Sequence, residues 1–401
     1  TPSPTPTPTP TPSPSPTPTP QPSPTPFVIK SGDIIIDEFR LSGPKGPNDE
    51  FVELYNNTDV NITVSTTDGS GGWALAALDN KGNASSVVTT VSNGTIIPAR
   101  SHFLLAASGY SLGDYAAPDI YYNKALGDDR SLALFKTSNA ANFTAANRLD
   151  AAGFNNASGA TAELFREGSG LSPVGAVRGE HSFVRKKSAS TGLPQDSDDN
   201  AADFMLVSTT GGIFNGVQSV LGAPGPESIN SPRLNQSINA SLADPLSCSD
   251  CPSNRARLFC GATGTPPCDA ATSPLGFLSI RRKFINRTGA DVTRLRFRIV
   301  DITTLGTPLE STPQADLRAV SSSDVIVSTD LGNILVRGTT LEMSSTQALG
   351  GGVNSSLSAG TVTPTNPVPS VTPNNSINVQ FMLGVKALGR FRFYIIVEAQ
   401  P

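Results

Sequence analysis

Proline stands at every even position from Pro2 to Pro26, with Thr, Ser or the single Gln21 between. Each ring holds φ near −65° and pushes the residue before it into extended geometry, so this stretch has one low-energy conformation, polyproline II. At ~3.1 Å per residue it reaches roughly 80 Å. The proline period is two and the helical period three, so successive hydroxyls step by about 240° and cover every face. An SH3-type ligand needs prolines three apart on one face, and none are so placed. Residues 1–26 therefore read as a rod, a stalk or glycan-bearing arm. Thr5, Thr7, Thr9, Thr11, Thr17 and Thr19 are its O-glycosylation candidates, and neighbouring copies of the chain are its expected partner.

The rest of the 401 residues suffices for two domains of ordinary size. With 36 Gly, 34 Pro and only 15% charged residues, the composition favours a β-rich, loop-rich surface protein over a helical enzyme. A formal net charge of −4 leaves no footprint for nucleic acid. The longest apolar runs, Phe103 to Ala107 and Tyr394 to Val397, are strand-sized, so no membrane span is expected. A chain that opens on Thr1 without a leader reads as a processed product. Residues 232–401 hold 15 Lys and Arg against 11 Asp and Glu, whereas the first 231 hold 14 against 22. Halves of opposite sign can steer head-to-tail contact between copies, or simply reflect ordinary variation between domains.

Asn-x-Ser/Thr occurs at Asn56, Asn61, Asn83, Asn93, Asn142, Asn156, Asn235, Asn239, Asn286 and Asn354, and Asn375 is read with them, beside the motif that begins at Asn374. Each is an N-glycosylation candidate and hence a surface-loop expectation. With the arm, they place the chain outside the cell or on its surface.

Between residues 27 and 222, seven short segments read as strands: 34–39, 50–56, 60–64, 73–78, 85–91, 102–107 and 131–135. They are rich in Val, Ile, Leu, Phe and Tyr, and each is bounded by Gly, Pro, Asn or Asp. No helical period competes, so an antiparallel sandwich is expected, with Trp73, the only Trp, in its core.

A resemblance adds to this reading. It rests on Ile35-Ile36-Asp37-Glu38-Phe39, Glu50-Phe51-Val52-Glu53-Leu54-Tyr55-Asn56, Gly72-Trp73-Ala74-Leu75 and Ile97-Pro98-Ala99 before His102-Phe103-Leu104-Leu105. Ser182-Phe183-Val184-Arg185 and the run from Asp196 to Phe204 complete it. Together these segments, over about residues 30–210, resemble a lamin-tail domain of the bacterial secreted type. The resemblance implies an immunoglobulin-like sandwich used for attachment, and no catalytic residues.

Gly109-Tyr110-Ser111-Leu112-Gly113 matches the nucleophile-elbow pattern, but an elbow needs a helix at once, and Asp114 to Asp119 is a poor helix start. His102 and His181 are the only histidines available as bases, and His102 sits within a strand pattern. No enzyme activity is expected. Asp196, Asp198 and Asn200 alternate oxygen side chains as a Ca²⁺ loop does, yet the EF-hand glycine and final glutamate are absent. The competing reading is a solvated loop of Asx turns. No other cofactor is suggested.

Leu221 to Glu227 has the Pro/Gly composition of a boundary, so 223–231 reads as a linker to a second domain, 232–401. Cys248, Cys251, Cys260 and Cys268 lie within 21 residues. An even, clustered set reads as two disulfides with three possible connectivities. Four-thiolate zinc is the rival, although only the first pair has knuckle spacing.

Beyond Gly276, Leu295, Phe297 and Ile299 alternate with Arg294, Arg296 and Arg298. Phe391, Phe393, Ile395 and Val397 alternate with Arg390 and Arg392. This is a second antiparallel sandwich, similar in general pattern to immunoglobulin-like and fibronectin-like modules of bacterial surface proteins. The arginine row, spaced ~6.5–7 Å on one face, is either simply hydrated or meets acidic groups of a neighbouring subunit or a glycan. Arg294, Arg296 and Arg298 are therefore the candidate subunit contacts.

The expectation is an all-β chain: two antiparallel immunoglobulin-like β-sandwiches behind a polyproline II arm. Its expected role is that of an exported structural glycoprotein, the subunit of an extracellular filament. The alternative is an adhesion or carbohydrate-binding module with a glycosylated spacer.

Overall fold

The structure, a computed structural model, describes residues 1–3, 27–79, 82, 85–188, 190–262, 265–342, 344–359 and 371–400. The Thr-Pro arm beyond Ser3, with its O-glycosylation candidates, and the sequon at Asn83 lie outside the described residues. The chain divides into two units, Thr1–Lys30 and Ser31–Pro401. The described residues of the first unit are largely exposed.

The second unit is all-β, and its longer strands fall where period-two alternation places them. A seven-stranded sheet runs in the spatial order Val220–Leu221, Phe204–Ser208, His181–Arg185, Ile34–Arg40, Phe51–Asn56, His102–Ala107 and Ile120–Tyr122. Its inner pairs are antiparallel, while the outermost pair at each edge is parallel. A second sheet has the order Arg148–Ala152, Leu132–Phe135, Gly72–Leu78 and Ser85–Ser92. The segments read as strands between residues 34 and 135 all contain one, the 60–64 segment shortened to Ile62–Thr63. Trp73 is fully buried and donates its indole N–H to the Ser65 carbonyl at 2.9 Å. Phe39 is the centre of an aromatic cluster, with Phe183 stacked at 5.1 Å and Phe154 and Phe204 edge-on.

The described residues of 233–400 form two further large sheets and a two-stranded one, Val325–Thr329 with Gly332–Val336. The third has the order Arg233–Leu234, Phe393–Gln400, Arg294–Ile302, Ser356–Ala359 and Thr339–Leu341. The fourth has Ile238–Leu242, Phe277–Asn286, Ser376–Ala387 and Asp316–Val320, with Arg255–Leu258 also pairing to Phe277–Asn286. Leu295, Phe297 and Ile299 of the third sheet and Phe284, Phe381 and Leu383 of the fourth share one apolar cluster, so these sheets pack face to face.

A free sandwich would show alternating burial along its strands. In the first sheet, Ile34–Arg40, Phe51–Asn56, His102–Ala107 and His181–Arg185 are instead buried at every residue. The outer face is covered partly by Tyr110, Leu112 and Ala116, which pack on Phe51, Leu104 and Ala106, and partly by the second half of the chain. Val184 and Val207 of the first sheet belong to the same apolar cluster as the third and fourth sheets. The two sheet pairs are therefore continuous within one compact unit.

The segment read as a linker, 223–231, is not one over most of its length. Residues 221–228 are all buried, with Ala223 1% and Glu227 2% exposed. Burying irregular backbone is costly unless each N–H and C=O is paired. Pro224 and Pro226 remove two N–H groups, and the remainder find partners. Gly225 N–H donates to Glu38 Oε1 at 3.0 Å and Glu227 N–H to Glu53 Oε2 at 2.6 Å, both in the first sheet. The carbonyls of Ala223 and Gly225 accept from Asn354 Nδ2 at 3.1 Å and Arg298 Nη1 at 3.0 Å, both from the second half. The connector is thus stitched to both halves: the Gly225 and Glu227 amides reach the first sheet, while the Ala223 amide, 3.3 Å from the Val353 carbonyl, and the Ala223 and Gly225 carbonyls reach the second half.

Candidate functional site

A dense, buried polar arrangement lies along that connector. Glu38 and Glu53 stand directly opposite each other on adjacent strands of the first sheet. Burial raises both above the usual carboxylate range, and the nearby charge of Arg298 opposes that rise. The arginine row faces them across the connector. Alternation turns Leu295, Phe297 and Ile299 into the core of the second half, which leaves Arg296 and Arg298 facing the first sheet.

Arg298 Nε pairs with Glu398 Oε1 at 3.0 Å, its Nη2 with Glu227 Oε2 at 2.9 Å, and its Nη1 donates to Asn354 Oδ1 at 2.8 Å. Arg296 pairs with Glu398 Oε2 at 2.5 Å and with Glu227. Arg294, at the rim, pairs with Glu342 at 2.8 Å. Arg296 and Arg298 are only 2% and 3% exposed. This corrects the expectation of hydrated or subunit-contacting side chains, because the acidic partners belong to the same chain. Of those partners Glu227 comes from the first 231 residues, while Glu342 and Glu398 belong to the same half as the arginines.

His102 completes the lattice. Its Nδ1 lies 2.6 Å from Glu53 Oε1 and its Nε2 3.1 Å from Glu227 Oε2. Burial, then the charges of Lys187 and Arg298, holds the imidazole well below its ordinary pKa. Burial, then the charges of Asp37 and Glu38, raises Glu53 well above the usual carboxylate range. The arrangement these directions favour is a neutral ring, accepting at Nδ1 from protonated Glu53 and donating from Nε2 to Glu227. Glu398 is pulled the other way: burial would raise it, but Arg296 and Arg298 together hold it below the ordinary value.

His181 is also buried, its Nδ1 3.0 Å from the Gly179 carbonyl, and burial pushes its pKa down to about 4. Ser111 of the Gly-x-Ser-x-Gly run accepts from Arg40 Nη2 at 2.9 Å, and its amide donates to Asp49. A turn, not a helix, follows it.

Asp196, Asp198 and Asn200 do not converge on a common point for a cation. Asn200 is fully buried, and its amide serves backbone. Oδ1 accepts from Gly153 and Glu167 N–H at 2.9 Å each, and Nδ2 donates to the Ala151 carbonyl at 2.8 Å. Asp196 turns towards Arg185 at 3.2 Å, while Asp198 adopts positive φ. Asp150, Glu167 and Asp196 do present carboxylate oxygens within 4.8 Å of one another. The guanidinium of Arg185 already sits among them, 2.7 Å from Asp150 and 3.3 Å from Asp203. Burial and the charge of Asp150 push Glu167 up to about 9 and Asp196 up to about 6. A second group, Asp37, Glu53 and His102, already holds the Lys187 ammonium on Asp37.

Of the three cysteine connectivities, the structure has Cys248–Cys251 and Cys260–Cys268, so the four thiols are not a zinc knuckle.

Three sequons are structural. Asn56 is buried and its Nδ2 donates to the carbonyls of Val60, Ile97 and Pro98, while Oδ1 accepts from Thr58 N–H and Oγ1. Asn286 repeats the arrangement with Ala290, Val371 and Thr288. Asn354 Nδ2 is held by Glu38 and Ala223. These asparagines present no free amide to a glycosyl donor in the folded chain. Asn61, Asn93, Asn156, Asn239 and Asn375 are exposed, and Asn142 and Asn235 half-buried.

The charge lattice was not anticipated from the sequence, although one signal was available. Glu398 falls on the outward face of a strand whose inward residues, Phe393, Ile395 and Val397, alternate clearly.

No protein-family model matches the chain, and no curated protein does. Among solved structures, a DUF4876 family protein from Bacteroides thetaiotaomicron VPI-5482 is similar over 44% of this chain and 71% of its own length, at 16% identity and a TM-score of 0.32.

Proposed function

We propose that this chain is an exported structural protein, the subunit of an extracellular filament, whose Thr-Pro arm docks on neighbouring copies. The first half is read as a lamin-tail-like sandwich and the second as an immunoglobulin-like one. The observation that carries the proposal is the connector. Ala223-Pro224-Gly225-Pro226 has the alternating-proline pattern of the arm, and it lies buried with the Gly225 amide bonded to the first sheet and the Ala223 and Gly225 carbonyls bonded to the second half. Such a strand is an adhesive element: it is stiff before it docks, so little conformational entropy is lost. The two disulfides and the lack of any helix long and apolar enough to cross a membrane among the described residues are compatible with an extracellular site. The most buried acid–base groups are paired with one another, which suits a scaffold.

Negative-stain microscopy of native material tests this reading. Filaments with a regular repeat are expected, and deletion of residues 1–26 should leave the Ser31–Pro401 unit folded but dispersed. Normal fibres from the truncated chain would sink the docking role of the arm.

A further inference from the structure

The flank of the second half is open. The Arg233–Leu234 strand pairs with Phe393–Gln400 only at Glu398 and Ala399, so the earlier part of that strand has no ladder partner on this side among the described residues. A cavity of about 250 Å³ lies there, between the third and fourth sheets. Its walls are Phe381, Phe391, Phe393, Ile280 and Ile395. That volume falls just below the range of roughly 300–1,000 Å³ typical of drug-sized ligands, which suits a single ring.

Two guanidiniums and one carboxylate stand at its mouth. Arg255 is engaged: Nη2 pairs with Asp250 at 3.0 Å, and its Cζ lies 5.7 Å from the centre of the Phe391 ring. Arg282 is not. Two-residue alternation puts it on the same face as Ile280 and Phe284, which both pack into the core. The hydrogen bond it makes is to the Arg281 carbonyl at 2.8 Å, and among the described residues no carboxylate forms an ion pair with it. Burial, then the like charge of Arg255, lowers its pKa, with the Asp250 carboxylate at the mouth acting the other way. An inward charge can serve merely to keep an open edge from pairing, but that role needs no aromatic-walled cavity beside it.

The remaining wall is rigid. The Cys248–Cys251 disulfide closes on Ser249 and Asp250, both of which line the cavity. The Cys251 carbonyl accepts from the amides of Asn254 at 2.8 Å and Arg255 at 2.7 Å, and Asn254 Nδ2 donates to the Cys248 carbonyl at 3.1 Å. The disulfide turn and Arg255 are therefore one piece.

We propose that this cavity binds a carboxylate carried on a six-membered ring. Arg282 takes the carboxylate through its two-pronged donor edge, and the ring lies on Phe391 and Phe393. Ser249 and Asp250 are placed to meet ring hydroxyls, so the ring can come from an aryl acid or from a uronic sugar. The site is independent of the filament reading, because binding is measured on the dispersed chain.

Titration calorimetry of the full chain with phenylacetate, glucuronate, 2-phenylethanol and glucose tests it. One or both acids should bind, each more tightly than its neutral counterpart, and the acid that binds identifies the source. Arg282→Gln should weaken binding at least about tenfold, with Arg282→Lys intermediate because it keeps charge without the fork. Phe391→Ala should weaken it as well. The denaturation midpoint of each variant reports folding, and a ligand-induced rise in the wild-type midpoint gives a second readout. No binding of either acid at about 10 mM, or binding unchanged in a folded Arg282→Gln chain, would overturn the proposal.

Discussion

Asn56 and Asn286 do the same work in opposite halves of the chain. Each closes a turn of sequence Asn-x-Thr after a long strand, with the threonine hydroxyl bonded back to the asparagine and the asparagine amide spanning to a neighbouring segment. Replacing either by Ala leaves buried carbonyls unpaired and should cost about 1–3 kcal/mol, read from denaturant midpoints. Peptide mapping of native material should find Asn56, Asn286 and Asn354 unmodified. The local pattern could not disclose this, because Asn-x-Thr reads identically as a glycan acceptor and as an Asx turn; only the carbonyls brought by distant segments decide. Arg298 was legible as an outward residue but not as a buried one, since its acids come from Glu227 and Glu398. Arg298→Met should destabilise by about 3–5 kcal/mol, the usual cost of orphaning a buried partner. Glu50 yields a pH signature. Its carboxylate accepts from Leu126 and Gly127 amides, yet burial pushes its pKa up to about 7. The folded chain therefore holds a proton that the unfolded chain has released. That contribution is complete below the ordinary value of 4.5 and is lost as pH rises through 7. Wild type should lose stability relative to Glu50→Gln across this window, and parallel curves would refute it.

Among the elements, strands were the most readable, because two-residue alternation and Gly, Pro, Asn and Asp boundaries are local properties. The connector was half readable. Its prolines and glycines mark a boundary in the sequence, but a boundary between halves that pack together is an interior. Gly225 shows the difference: a Cβ there would meet the Arg298 guanidinium and the Asn354 backbone. Gly225→Ala should therefore lower the melting temperature by several degrees, on the order of 1–3 kcal/mol for overpacking, whereas a true linker would accept the change. The cysteine segment was readable as a pair of staples, though not which sulfur meets which. Its position beside Phe391 and Arg282 depends on the fold of the fourth sheet, which no spacing within the segment encodes.

At the scale of the molecule, the two sheet pairs should not behave as separate domains. Calorimetry of residues 31–401 should give one unfolding transition, because the junction is made of groups that neither half can leave unpaired. Two resolved transitions would contradict the shared interior. The all-β class was legible; the shared interior was not, since a face that is polar in sequence can be wet or can be matched by another polar face. That matching has a consequence for how the chain is made. Glu38 and Asn354 touch although 316 residues separate them. On a ribosome, whatever emerges first must wait for Arg296, Arg298 and Asn354 before the groups buried along the connector are matched. Completion thus depends on the last part translated, so the junction closes only once nearly the whole chain has been made.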